Sequence, residues 1–226
     1  MTPLGTDLDA RRSTSGAWVA LAVLWGAYLV LDQLAGFTGP AHTLLKGLLM
    51  PGLLLCIWLT LGERTPRLLI AALVLATVGD VGLEYDATFL VGMAGFFAMQ
   101  VCYVLGFLRL GAWPGVRARW PIAIGYLGFW VVANAALGPR LGDLQVPIAV
   151  YSLALCLMAV ISAGLGLRTG LGGLLFLVSD MVIGLDLAEL DFAGRGLIVM
   201  VTYLAAQYLL ATGWALLVDR RAGVPL

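Results

Sequence analysis

Residues 77–107 read TVGDVGLEYDATFLVGMAGFFAMQVCYVLGF. Asp80 lies inside one apolar run. After a short polar break around Glu84 and Asp86, a second run begins that is long enough to cross a bilayer, which takes about 20 apolar residues. A hundred residues after Asp80, Asp180 sits in another such run, LLFLVSDMVIGLD. A charge at the centre of a bilayer costs roughly 2.5–3.5 kcal/mol on insertion scales, so an aspartate kept there is a functional-site expectation. The plain structural reading is that each carboxyl holds two helices together.

Working outward, the composition agrees with a membrane setting. The 226 residues are 62% hydrophobic and 12% charged, whereas a soluble domain is nearer half apolar and a quarter charged. A net charge of zero gives no reason to expect nucleic acid as a partner. Cys56, Cys102 and Cys156 fall in apolar runs without metal-ligand spacing and read as free thiols. The first apolar run is too long for a signal-peptide core and is counted as a span. Eight spans are expected, at 16–36, 41–61, 67–85, 88–109, 120–137, 144–166, 171–187 and 195–218. The expected fold is all-α and polytopic: one eight-helix domain over 16–218, with tails at 1–15 and 219–226.

The loops give an orientation. Arg11, Arg12, Arg64, Arg67, Arg109, Arg117, Arg119, Arg168, Arg220 and Arg221 fall at one end, against Arg140 and Arg195 at the other. The positive-inside rule puts the first end, with both termini, in the cytoplasm. Trp18, Trp58, Trp113, Trp120 and Trp214 lie at that end, where an aromatic belt is expected. At about 1.5 Å per residue, the buried polarity gathers in a layer displaced toward the opposite face. It comprises Asp80, Asp180, Lys46, Gln100, Tyr103, Asn134, Tyr151, Tyr203, Gln207 and Asp32.

Helical spacing groups several of these on shared faces. Thr77, Asp80 and Glu84 form one stripe, His42 and Lys46 a second, Tyr203 and Gln207 a third. Asp80 precedes Tyr103 by the same 23 positions that separate Asp180 from Tyr203. That echo suggests two parallel four-helix halves, although identity between the halves is slight. Lys46 is read as counter-ion to an aspartate or anchor for a phosphate, with snorkelling as the plain option. His42, near a helix end, is read as an interface residue, and Ser179 as bonding the carbonyl one turn back. One histidine with scattered aspartates gives no metal site. GLGLRTGLGG lacks a phosphate-loop ending and is read as a turn, so no cofactor is expected.

The matches that carry a family resemblance run in order along the chain: LLKGLLMP around Lys46, GDVGL with Phe89, Gly92, Phe96 and Tyr103, Tyr151 and Met158, GGLLFLVSD, and TYLAAQYLL. Together they resemble the YhhN family of eight-helix integral membrane proteins, whose animal members are lysoplasmalogenases. Two positions depart from it. Gln100 stands where the family usually has histidine, and glutamine cannot shuttle a proton. Gly47 replaces the proline after the family lysine.

The resemblance implies hydrolysis of the vinyl ether of a lysoplasmalogen, giving a fatty aldehyde and a glycerophospho-headgroup. Asp80 and Asp180 are expected to divide the roles of proton donor and cation-stabilising carboxylate. Lys46, Gln100, Tyr103, Asn134, Tyr151, Ser179, Tyr203 and Gln207 would bind substrate or support the pair. The partners would be a lysophospholipid and the bilayer, with no nucleic acid, and the place a bacterial inner membrane. Two alternatives remain at this point: a small proton-coupled transporter and a non-catalytic lipid-binding protein.

Overall fold

A computed structural model describes residues 4–35 and 38–223, with side chains for 14–32 and 38–223. Among the described residues the regular structure is helical throughout. The α-helices are α1 (Leu4–Ala35), α2 (Pro40–Gly47), α3 (Leu49–Leu61), α4 (Arg67–Gly82), α5 (Phe89–Arg109), α6 (Ala112–Ala118), α7 (Trp120–Leu137), α8 (Gln145–Leu165), α9 (Leu167–Leu187) and α10 (Arg195–Arg221). Among the described residues seven rods are long and apolar enough to cross a membrane: α1, α2 with α3, α5, α7, α8, α9 and α10. The chain is therefore an all-helical, multi-pass membrane protein. The expected eighth span, α4, has 16 residues, about 24 Å of helix against a hydrocarbon core of about 30 Å.

The tail expected at 1–15 is helical from Leu4 onward and continues α1. The side chains of Arg11 and Arg12, used above for orientation, lie outside the described residues. The expected second span is broken at Leu48, between α2 and α3. Pro51 explains the break: it has no N–H for the carbonyl of Gly47, and its ring crowds that carbonyl. The chain answers with a tighter turn, Leu48 N–H to the Leu45 carbonyl at 3.2 Å.

Glycines bring α4 and α5 into backbone contact. A Cβ on Gly82 would sit 2.5 Å from Cα of Gly92, and one on Gly95 would sit 2.9 Å from the nitrogen of Gly79. This small-residue seam is what lets membrane helices approach closely, and it fixes the height of Asp80. A second notch opens at Gly106, where a Cβ would fall 1.7 Å from the indole of Trp214. Trp214 is buried there against Tyr103 and Phe107. It therefore leaves the expected aromatic belt, while Trp58, Trp113 and Trp120 are exposed.

At the arginine-rich end, cations cap helix ends. Arg119 donates to the Ala163 carbonyl and Arg221 to the Leu110 carbonyl, each at 2.8 Å, satisfying acceptors that a helix C-terminus leaves open. Arg64 pairs with the buried Asp219 at 2.7 Å. α7 is the outlier of the bundle, because it contains no buried residue. Trp130 Nε1 anchors it to α8, reaching the Ala149 carbonyl and Ser152 Oγ at 3.1 Å.

Candidate active site

Asp180 sits on α9, two turns from its end. Tyr151, from α8, donates its hydroxyl to Oδ2 of Asp180 at 2.5 Å. Both line a cleft of about 100 Å³ walled by α7, α8, α9 and the start of α5. Phe89, Met93, Phe96, Leu137 and Leu155 give it an apolar lining. Its polar groups are few: Asp180, Tyr151, Asn134, Ser152 and the Trp130 indole. Asn134 donates to the Trp130 carbonyl at 2.9 Å and to Ser152 Oγ at 3.4 Å. An apolar cleft with a few convergent polar groups is the usual form of a small-ligand site.

Asp80 has different surroundings. It is 2% exposed, and Tyr203 of α10 donates to its Oδ2 at 2.8 Å. Behind Tyr203 the chain of polar contacts continues inward. Gln207 Nε2 lies 3.5 Å from Tyr203 Oη and 3.1 Å from Met99 Sδ, and Tyr103 donates to Gln207 Oε1 at 3.0 Å. Among the described residues no hydrogen bond joins the Asp80 chain to Asp180. Phe96 stands between them. Its ring meets Tyr203 and Phe176 edge-on and also lines the Asp180 cleft. A Cβ on Gly79 would strike that ring at 2.6 Å, so the glycine before Asp80 makes room for the partition.

Lys46 does not pair with an aspartate. Its ammonium meets Oε1 of Glu84, just past the end of α4, though it remains within electrostatic reach of Asp80. His42, expected as an interface residue near a helix end, is the hub of this group. Nδ1 contacts Glu84 Oε2 and Nε2 contacts Asp32 Oδ1, both at 2.9 Å, while Tyr28 Oη lies 3.2 Å from Nε2. The spacing of His42 and Lys46 had shown a shared face, but nothing local pointed to Tyr28, which reaches it from α1.

Ser179 donates to the Val199 carbonyl at 3.1 Å, tying α9 to α10 rather than bonding its own helix. Gln100 is fully buried, and neither its amide nitrogen nor its oxygen has a hydrogen-bond partner. It nevertheless lies close enough to act on the Tyr151 hydroxyl. Leaving a buried polar group unsatisfied costs about 1–3 kcal/mol, and native proteins commonly meet that cost with an ordered water. Among the described residues no three His, Cys, Asp or Glu side chains gather where they could hold a metal.

The model of the YhhN family matches residues 41–214. The chain belongs to the YhhN family. The match runs from just before His42 to Trp214, so it holds Lys46, Asp80, Gln100, Tyr151, Asp180 and Tyr203. Lysoplasmalogenase TMEM86B of Homo sapiens is 36% identical over 146 residues, covering 64% of this chain and 62% of its own length. The Sus scrofa protein of that name is 32% identical over 62% of this chain and 60% of its own. The Rattus norvegicus protein is 32% identical over 70% and 67%. The chain thus spans only about three fifths of the first two relatives. No solved structure matches it significantly.

Proposed function

We propose that this YhhN member is a membrane-embedded hydrolase that cleaves the vinyl ether of a lysoplasmalogen, with Asp180 as the group that touches substrate. The observation that carries the assignment is the placement of Asp180 and Tyr151 in the wall of an apolar cleft. The named activity of the relatives gives the substrate class and favours this reading over a transporter.

Vinyl ether cleavage suits a single carboxyl that changes role. Tyr151 occupies Oδ2 of Asp180, which leaves Oδ1 to carry the proton. Transfer of that proton to the β-carbon gives an oxocarbenium ion, which the new carboxylate faces and stabilises. Water adds to the cationic carbon and returns a proton to Asp180. The hemiacetal then collapses: the glycerol oxygen takes a proton and leaves, and the hydroxyl loses one to become the aldehyde. Gln100, buried beside Tyr151, is the residue assigned to orient that water.

Asp80 acts at one remove in this scheme. It fixes Tyr203, and Tyr203 backs the Phe96 wall of the cleft. Lys46 is the cation assigned to the phosphate side of the substrate. α4 completes eight crossings in two halves, both termini face the cytoplasm, and the membrane is a bacterial inner membrane. The deciding experiment gives purified protein a lysoplasmenyl lipid and its saturated-ether analogue. Aldehyde from the first alone is the expected result. Aldehyde from neither, or proteoliposome flux without hydrolysis, would sink the hydrolase reading.

A further inference from the structure

A second groove lies between α7 and α9. Gly125 and Tyr126 of α7 face Leu174 and Val178 of α9 across it, and no charged side chain lines it. Leu174 and Val178 are exposed on the outside of the bundle, which in a membrane protein means toward lipid. A Cβ on Gly125 would meet no atom within 4 Å, so the groove is open at that point.

Three residues, Phe129, Leu177 and Met181, line both this groove and the Asp180 cleft. They form the partition between the two spaces. The direction is also set. Leu174 precedes Asp180 by six residues on α9, about 9 Å along the axis, and Gly125 precedes Phe129 by one turn on α7. The groove therefore continues the cleft along the helix axes, as a hydrocarbon chain lies in a bilayer.

The volumes demand such an exit. A cleft of about 100 Å³ is well below the roughly 300–1,000 Å³ of sites that enclose a whole small ligand. A chain whose first carbons lie beside Asp180 must leave it. On the α8 side the wall is the buried pair Leu155 and Cys156, which belongs to the core. The partition toward α7, a helix without a buried residue, gives way most readily.

We infer that the groove between α7 and α9 holds the distal part of the substrate's single hydrocarbon chain, which passes between Phe129, Leu177 and Met181. The inference rests on Asp180 being the reaction site. It makes the groove a ruler for chain length.

The test uses lysoplasmenyl lipids of one headgroup and graded chain length. Gly125→Leu and Gly125→Trp place a side chain in the open groove without loss of helix propensity. Filling the groove bars the distal carbons of long chains from it, so kcat/KM falls for long chains relative to short ones and the preferred length shortens. An unchanged long-to-short ratio in both variants overturns the inference, as does an equal loss at every length. A second readout does not need turnover. In a Gly125→Cys chain with Cys102 and Cys156 replaced by alanine, a long-chain saturated-ether lysolipid slows reaction of the new thiol with a lipid-soluble maleimide. A short-chain homologue with the same headgroup does not. Equal labelling with both overturns the inference. Length-dependent protection without any wild-type turnover would remove the hydrolase reading and leave the groove standing.

Discussion

The two aspartates look alike in the sequence, each inside an apolar run, and have contrasting surroundings in the molecule. Asp80 is sealed, held by Tyr203 at the head of a polar chain that runs inward through Gln207 to Tyr103. Asp180 is held by one tyrosine and opens on an apolar cleft. A carboxyl sealed in the core is suited to fixing geometry. A carboxyl in the wall of a cleft is suited to exchanging a proton with a ligand. Both bear the cost of a carboxyl in the membrane, and of the two only Asp180 lines the cleft among the described residues.

The sharpest way to break this contrast is to neutralise each carboxyl in turn. Asp180→Asn should cost about 10²–10⁴-fold in kcat, the range for a positioned general acid, with helix content and thermal midpoint close to wild type. Asp80→Asn should lose less activity but more stability, about 1–3 kcal/mol, because it disturbs a buried network. Thermal unfolding beside turnover separates the two, and the reverse pattern would exchange the roles. A steric variant probes the same contrast without touching charge. Gly92→Ala places a methyl where the Gly82–Leu83 backbone already stands, 2.6 Å from the Leu83 nitrogen. Such overpacking typically costs about 1–3 kcal/mol, and it should lower the thermal midpoint through the α4–α5 seam.

The tyrosines give smaller effects that are equally diagnostic. Tyr151→Phe should lower kcat about tenfold with KM little changed, since a typical hydrogen bond is worth about 0.5–1.5 kcal/mol and those to charged groups about 1.5–3. Tyr203→Phe should show chiefly as lost stability, read by denaturation. The finest test is Gln100→Leu. If the amide atoms are bare, their removal raises stability by about 1 kcal/mol. If they hold water for the reaction, kcat falls and stability does not rise.

Much of this architecture was legible in the chain, for physical reasons. Apart from the first, whose helix starts at Leu4, the expected segments match helix limits within a few residues because Arg67, Arg109, Gly138 and Gly166 punctuate the apolar runs where helices begin or end. The intramembrane aspartates were visible because charge in such a run is costly. Partner choice was not visible. The 23-residue echo gave Tyr103 and Tyr203 equal standing, yet Tyr203 takes Asp80 and Tyr103 takes Gln207. Periodicity tells which residues share a face but not which helix that face meets. Lys46 went to Glu84 for the same reason, and Trp214 left the belt because its notch, Gly106, lies on another helix. The break at Leu48 was written in Pro51 and passed over, because hydropathy averages across a single missing donor.

The absence of any buried residue in α7 bears on assembly. Membrane helices first insert singly and then associate. α7 is tied to α8 through its own Trp130 and Asn134, which reach Ala149 and Ser152, so it is expected to dock last and detach first. During solubilisation, the lateral wall of the Asp180 cleft should loosen while the α4–α5 and α9–α10 pairs stay intact. Far-ultraviolet dichroism would then report a fully helical protein in a detergent where the proposed turnover has already gone.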